Sequence, residues 1–229
     1  MTAKQFKTVS HVVFDMDGLL LDTETRYEIA IRNVLARYDK PYLNELKVRL
    51  LGVTDEAEAD IVCTELELPI TPNEYMDQLK EEFKTIFDNV PLMPGAERLV
   101  LHLHKHNIPI AIATNTKRDR FDRKTRHLQH IFKLFHHIVI CSDDPEITRG
   151  KPDPQPYEVC ANRFTAKPQS MQNVLVFEDS PTGVTSGLAA GCQVVWVPAV
   201  DIDKNLVKPT LTLNSLEEFE PQLFGLPNF

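Results

Sequence analysis

No Cys-x-x-Cys pair occurs in this sequence. Its four cysteines, Cys63, Cys141, Cys160 and Cys192, are far apart, so neither a zinc knuckle nor a redox motif is indicated, and all four read as buried reduced thiols. Nothing approaches the roughly 18 consecutive apolar residues that a membrane span needs. The first apolar run is short and interrupted by Asp15 and Asp17, which is not the pattern of a secretory signal. A cytoplasmic location is the expectation that remains. Positive charge is the scarcer sign: 25 Lys and Arg stand against 33 Asp and Glu, a formal charge of −8. A field of that sign repels polyanions, which argues against a general nucleic-acid or anionic-membrane binder, and a small phosphorylated substrate would need a local positive site. Internal repeats and low-complexity segments are absent, and 229 residues suffice for one large domain or for a core domain with a smaller insert.

What is present is organised around residues 11–24. Val12, Val13 and Phe14 form a continuous apolar run of the kind found in a strand buried on both faces of a parallel sheet. The run ends in two carboxylates, Asp15 and Asp17, and Gly18 permits a sharp turn after them, which puts the acids at the carboxyl edge of the sheet, where open α/β folds bind their ligands. An acidic pair with one residue between can hold a hard cation, with one member attacking as a nucleophile while the other moves protons.

Taken in order, residues 23–38 read as a helix with Thr23 as its N-cap, and Pro41 closes that segment. From there to Asn89 the pattern is helical only, with pieces over 46–51, 54–66 and 71–87, Thr54 and Thr71 as caps and Pro72 at a first helical position. Pro91, Pro94 and Gly95 mark a linker, after which helices over 95–106, 119–129, 154–164 and 182–190 alternate with strands over 109–114, 137–141, 173–178, 193–197 and 210–213. Such alternation implies right-handed crossovers and a doubly wound parallel sheet, an α/β core (residues 1–20 and 92–229) with a small all-helical domain inserted after the first strand (21–91).

Parallel strands place their carboxyl ends on one edge, so Asp15 and Asp17, Thr114 with Asn115, and Glu178 with Asp179 converge there, while Lys151 arrives on a loop stiffened by Gly150, Pro152 and Pro154. Carboxylates can collect Mg²⁺, the cation and Lys151 can neutralise a phosphate, and Thr114 with nearby backbone N–H groups can donate to its oxygens. These residues carry a family resemblance. Asp15-Met16-Asp17-Gly18, Ala113-Thr114, Gly150-Lys151-Pro152-Asp153-Pro154 and Glu178-Asp179-Ser180 resemble the four ordered motifs of the haloacid-dehalogenase-like hydrolases, and the helical block resembles the small cap of that superfamily. Within it, residues 213–227 and 141–146 are similar to members that dephosphorylate pseudouridine 5′-phosphate.

The resemblance implies a role for each matched residue. Asp15 would become an aspartyl-phosphate, and Asp17 would protonate the leaving oxygen and later deprotonate water. Mg²⁺ would be held by the Asp15 carboxylate, the Asp17 backbone carbonyl and Asp179, with Glu178 as a further or water-mediated ligand. Thr114 and Lys151 would bind the phosphate. A carboxylate at position 17 points to turnover of phosphate esters, since a halide leaving group needs no acid. Substrate-side candidates are Asn115 and Lys117 beside Thr114, and Arg49 and Gly52 in the cap, where Val53 and Thr54 are not basic.

Two further features read as structural. His102 and His106 stand at helical i,i+4 spacing, a zinc geometry that is more simply a solvated helix face. The basic run from Lys117 to Lys124 is interleaved with aspartates and reads as a solvated helix start. The sequence therefore predicts a Mg²⁺-dependent phosphomonoesterase acting on a small phosphorylated metabolite, monomeric by default, whose cap opens and closes about residues 20–22 and 89–94. A sugar-phosphate mutase or a phosphatase of another small metabolite is the alternative that the cap loop would decide. A non-catalytic binding protein on the same fold is the alternative of another class.

Overall fold

The computed structural model describes residues 6–50, 55–199 and 202–229. By the density of its internal packing the chain divides into two units, Met1–Asp22 with Pro91–Phe229, and Thr23–Val90. The chain leaves and re-enters the first unit side by side: Leu21 bridges Leu92 in antiparallel fashion, Asp22 N–H donates to Pro91 O and Met93 N–H to Leu20 O, both at 2.9 Å.

The larger unit is built on six parallel strands, β1 (His11–Phe14), β2 (Ile110–Thr114), β3 (His137–Ile140), β4 (Val174–Glu178), β5 (Gln193–Trp196) and β6 (Leu211–Thr212), in the spatial order β3-β2-β1-β4-β5-β6. Helices α5 (Ala96–Lys105), α6 (Arg118–Thr125), α7 (Gln129–Phe132), α8 (Gln155–Asn162) and α9 (Pro181–Ala189) alternate with them. Side chains alternate between sheet faces, and the strand sequences are apolar on both. Val13, Ala111, Ala113, Val139, Val174 and Val176 share one core with Tyr157, Cys160, Ala161 and Val184 of α8 and α9. On the opposite parity Phe14 stacks on Phe177 at 5.0 Å between ring centroids, and Phe177 meets Phe219 edge-on at 4.8 Å. All four cysteines are buried and unpaired with one another. The strand order reverses between β1 and β4, and at such a reversal the loops leaving the carboxyl ends diverge to open a crevice.

The smaller unit contains α1 (Thr23–Ala36), α2 (Asn44–Leu50), α3 (Asp55–Glu65) and α4 (Pro72–Ile86). Its core gathers Ala30, Ile31, Val34 and Leu35 of α1 with Val62 of α3 and Tyr75 and Leu79 of α4, the helical spacing that buries one face. Thr71 caps α4 through a capping box with Glu74, with Pro72 in the first turn. Thr23 is different from the sequence expectation: it lies inside the first turn of α1, and its hydroxyl is buried without a hydrogen-bond partner, so it does not cap the helix. The expected cap at Thr54 lies outside the described residues. Among the described residues no helix is long and apolar enough to cross a membrane.

One expected helix breaks. The helix predicted over 119–129 ends at Thr125 and continues as a 3-10 turn, Arg126–Leu128, before α7. The Thr125 hydroxyl donates to Phe121 O at 2.9 Å, a back-bond that competes with the helical ladder and bends it.

At the amino-terminal edge of the sheet, a chain of hydrogen bonds runs through two neighbouring histidines. His137 Nε2–H donates to the Cys160 carbonyl (3.0 Å), which leaves its Nδ1 to accept from His136 Nδ1–H (2.8 Å), and His136 Nε2 lies 2.9 Å from Thr165 Oγ1. Burial pushes His137 down to about 4, with the Cys160 carbonyl opposing and His136 reinforcing. A histidine depressed on folding binds fewer protons when folded than when unfolded, so its contribution is complete above about 6.5 and lost as pH falls toward 4. Discounted for partial exposure, that is about 1 kcal/mol. We expect the thermal midpoint to fall between pH 7 and pH 5, and the fall to be smaller by about 2–4 °C in His137→Asn when followed by calorimetry. Equal falls would remove His137 from the account.

Candidate active site

Asp15 follows β1 directly, and its N–H extends the ladder to Phe177 O at 2.9 Å, which fixes the backbone where the strand ends. Gly18 then takes a φ of +78°, and a Cβ there would fall 2.2 Å from Asp179 Oδ2, so both the turn and the approach of the fourth strand's acid require glycine. Gly183, in the first turn of α9, plays the same part for Glu178: a Cβ would lie 1.9 Å from its carboxylate.

The buried centre is a lysine between two acids. Lys151 Nζ donates to Asp15 Oδ1 (2.5 Å), Glu178 Oε1 (2.7 Å) and Ala113 O (2.9 Å), which accounts for all three of its protons. Glu178 is fully buried and further satisfied by the Tyr157 hydroxyl on Oε1 and by Ser180 Oγ on Oε2 at 3.2 Å, while Ser180 caps α9 by accepting from Gly183 N–H at 3.1 Å. Trp196 Nε1 donates to Asp179 O at 2.7 Å and holds the neighbouring acid's main chain. Burial pushes the Asp15 carboxyl up to about 7, with Lys151 opposing and Glu178 reinforcing. Burial also works against the charge on Lys151, but the carboxylates of Asp15 and Glu178 outweigh it and hold the ammonium well above the usual lysine range.

Asp15, Glu178 and Asp179 each offer a carboxylate oxygen, and these oxygens lie within 4.8 Å of one another. An all-oxygen donor set of that kind fits a hard divalent cation. The Asp17 carboxylate is engaged elsewhere: Lys124 Nζ donates to Oδ1 at 2.6 Å and Thr116 Oγ1 to Oδ2 at 2.5 Å. Asp17 could therefore join a cation through its main-chain carbonyl, the atom that the family resemblance implies. The two carboxylates are thus divided, Asp15 with the cation cluster and Asp17 with an ammonium and a hydroxyl of its own.

The other predicted residues are placed as follows. Thr114 ends β2, almost fully buried, and its Oγ1 accepts from Thr116 N–H at 3.2 Å. Asn115 is exposed, its side chain 3.4 Å from where a Cβ of Gly150 would stand. Lys117 is exposed at the start of α6. Arg49 belongs to the smaller unit, where it pairs with Glu65 at 2.6 Å, and Gly52, Val53 and Thr54 lie outside the described residues. His102 hydrogen-bonds Pro227 O at 2.9 Å and its ring lies against Phe229.

The reading of the Lys117–Lys124 run as a solvated helix start needs correction at its end. Lys124 is 1% exposed and reaches the site. Its signal was helical spacing: Phe121, Lys124, Thr125 and Leu128 fall at i, i+3, i+4 and i+7, and all four are buried. Tyr157 and Gly183 were also missed, and Trp196, buried in the core, supports the Asp179 main chain as well.

The profile of the haloacid dehalogenase-like hydrolase family matches residues 12–197. A protein of Drosophila melanogaster named "Probable pseudouridine-5'-phosphatase" is 42% identical over 230 residues, covering 100% of this chain and 99% of that one. (DL)-glycerol-3-phosphatase 2 of Arabidopsis thaliana is 40% identical, covering 97% and 93% of the two chains. Among solved structures, a HAD family hydrolase from Deinococcus radiodurans R1 with bound phosphate and sodium superposes with a TM-score of 0.78 at 25% identity, over 94% of this chain and 95% of that one.

Proposed function

The chain belongs to the haloacid dehalogenase-like hydrolases, and from that premise we propose that it hydrolyses small phosphomonoesters through a phospho-Asp15 intermediate, with pseudouridine 5′-phosphate as the first substrate to try. The observation that carries this reading is the division of the acidic pair, Asp15 beside Lys151 in the cation cluster and Asp17 outside it. That division supports a nucleophilic role for Asp15 and proton transfer by Asp17.

In the first step an Asp15 oxygen lone pair forms the bond to phosphorus, the ester P–O bond breaks with its electrons on the leaving oxygen, and that oxygen takes a proton from Asp17. In the second, water attacks phosphorus and gives its proton to Asp17, while the P–O bond to Asp15 breaks and returns the carboxylate. Lys151 compensates charge on Asp15, and Thr114 with main-chain N–H groups of the strand-end loops would hold the phosphate oxygens. Mg²⁺ would be held by Asp15, Asp179 and the Asp17 carbonyl, with Glu178 direct or through water, and when bound it would offset the repulsion between two anions.

The Drosophila relative supports the pseudouridine substrate and the Arabidopsis relative a glycerol phosphate, and both support a small phosphate ester. The test is phosphate release from a panel of nucleotide, pseudouridine, glycerol and sugar monophosphates, with and without Mg²⁺, using Asp15→Asn as the blank. We expect Mg²⁺-dependent release with one ester preferred. Preference for another ester than pseudouridine 5′-phosphate would overturn the substrate, conversion of one isomer into another without release would indicate a mutase, and no turnover of any ester would overturn the enzyme.

A further inference from the structure

Lys124 is a buried cation that the reaction as written above does not use. It stands on the inner face of α6 between Phe121 and Leu128, 1% exposed, and its Nζ donates to Asp17 Oδ1 at 2.6 Å. A buried ammonium is costly unless it is paired. Here the pairing falls on the side chain two residues from the nucleophile. The second oxygen of that carboxylate is held by a neutral donor, Thr116 Oγ1, at 2.5 Å, and Thr116 is itself fixed through its N–H to Thr114 Oγ1 at 3.2 Å.

Donors on both oxygens fix the plane of a carboxylate, which a donor on one oxygen does not. Both anchors are charge-assisted through the carboxylate, but only the ammonium brings a formal charge of its own and is fully buried, whereas the Thr116 hydroxyl is neutral and only partly buried. The Asp17 side chain is 26% exposed against 1% for Lys124, so the carboxylate is reachable while its anchor is not.

We infer that Lys124 is a positioning residue that anchors Oδ1 of Asp17, so that Oδ2, released by Thr116, is the oxygen that passes a proton to the leaving group and takes one from water. The inference rests on the acid–base role given to Asp17 above. The bonds balance as before: Oδ2–H breaks as the ester oxygen gains its proton, and it re-forms as the attacking water loses one. Lys124 neither gains nor loses a proton.

The experiment uses leaving groups that differ in their need for a proton. Rapid-quench kinetics on the Mg²⁺-loaded protein would compare an alkyl monophosphate with p-nitrophenyl phosphate, whose phenolate departs without protonation. In Lys124→Met we expect the single-turnover rate on the alkyl ester to fall about 10²-fold. The p-nitrophenolate burst should fall less than about fivefold and be followed by a slowed steady state, because breakdown of the phosphoenzyme still needs the base. In an Asp17→Asn background the same substitution should cost less than about threefold, since both changes act on one function. Equal losses on the two esters, or losses that multiply in the double variant, would overturn the positioning role and leave Lys124 structural. If Lys124→Met does not fold, Lys124→Gln offers a shorter and neutral donor to Oδ1, so a smaller loss is expected that still falls more on the alkyl ester than on the p-nitrophenolate burst, and a substantial loss equal on the two would overturn the role. The underlying reading fails separately, by phosphate release from Asp15→Asn or by an Asp17→Asn that is insensitive to the leaving group.

Discussion

Asp15→Asn will lose phosphate release by at least about four orders of magnitude, the scale on which removal of a covalent nucleophile acts. An amide oxygen does not form a stable acyl phosphate under these conditions, so the two-step route closes and no neighbouring side chain replaces it. The Asp17 carboxylate is held by Lys124 and Thr116, and Glu178 is satisfied by Lys151, Tyr157 and Ser180. The fold should survive. Asparagine is nearly isosteric with aspartate, and its carbonyl can still accept from Lys151, whose charge retains Glu178 at 2.7 Å. Far-UV circular dichroism and a thermal midpoint within a few degrees of the parent would show this, and retained Mg²⁺-dependent turnover in that variant would sink the phospho-Asp15 route.

The parts of the site that lie at strand ends were readable because a carboxylate that interrupts a buried apolar run has few other reasons to be there. Asp15, Glu178 and Asp179 follow such runs, and parallel topology then brings them to one edge. The fold class was readable from the same alternation of strands and helices. Lys124 was not, because it was weighed as one charge in a basic run, and charge along a sequence does not report which face of a helix a residue occupies. The spacing from Phe121 to Leu128 did report it. Tyr157, Gly183 and Trp196 act only through tertiary neighbours: a tyrosine in a helix has no local mark that its hydroxyl meets Glu178, and a glycine in a first turn gives no sign of the carboxylate its missing Cβ admits. Thr23 misled for the converse reason, since a threonine before an apolar helix is a cap by local rules, yet here it is drawn into the first turn and buried. Substrate choice is the least legible part, since its expected determinants include Gly52 and its neighbours, outside the described residues.

Lys151→Met will cost stability as well as turnover, by about 3–5 kcal/mol, because it removes one partner from a buried ion network and leaves the others charged. Asp15 Oδ1 and Glu178 Oε1 both accept from that ammonium, and its third proton satisfies Ala113 O. Without it, two carboxylates face each other in a site from which water is largely excluded, with Tyr157 and Ser180 relieving only Glu178. A loss of that size corresponds to a midpoint lower by roughly 6–20 °C in a chain of this length. The pH dependence gives the cause away. Burial already holds the Asp15 carboxyl above its unfolded value, and losing the cation that opposes this raises it further, so stability falls as pH rises through the folded value and recovers when Asp15 is protonated. The deficit relative to the parent should therefore be largest at pH 7 and above and shrink toward pH 5. Mg²⁺, binding only the folded cluster, should restore part of it at neutral pH by mass action. Adding Asp15→Asn to Lys151→Met should also recover stability, since it removes one of the two stranded charges, whereas for independent sites the two changes would simply add. Urea denaturation of the single and double variants at pH 5 and 7 checks all three. A Lys151→Met protein as stable as the parent at pH 7 would mean that Lys151 does not offset buried negative charge in the folded state, and the charge compensation assigned to this lysine would go with it.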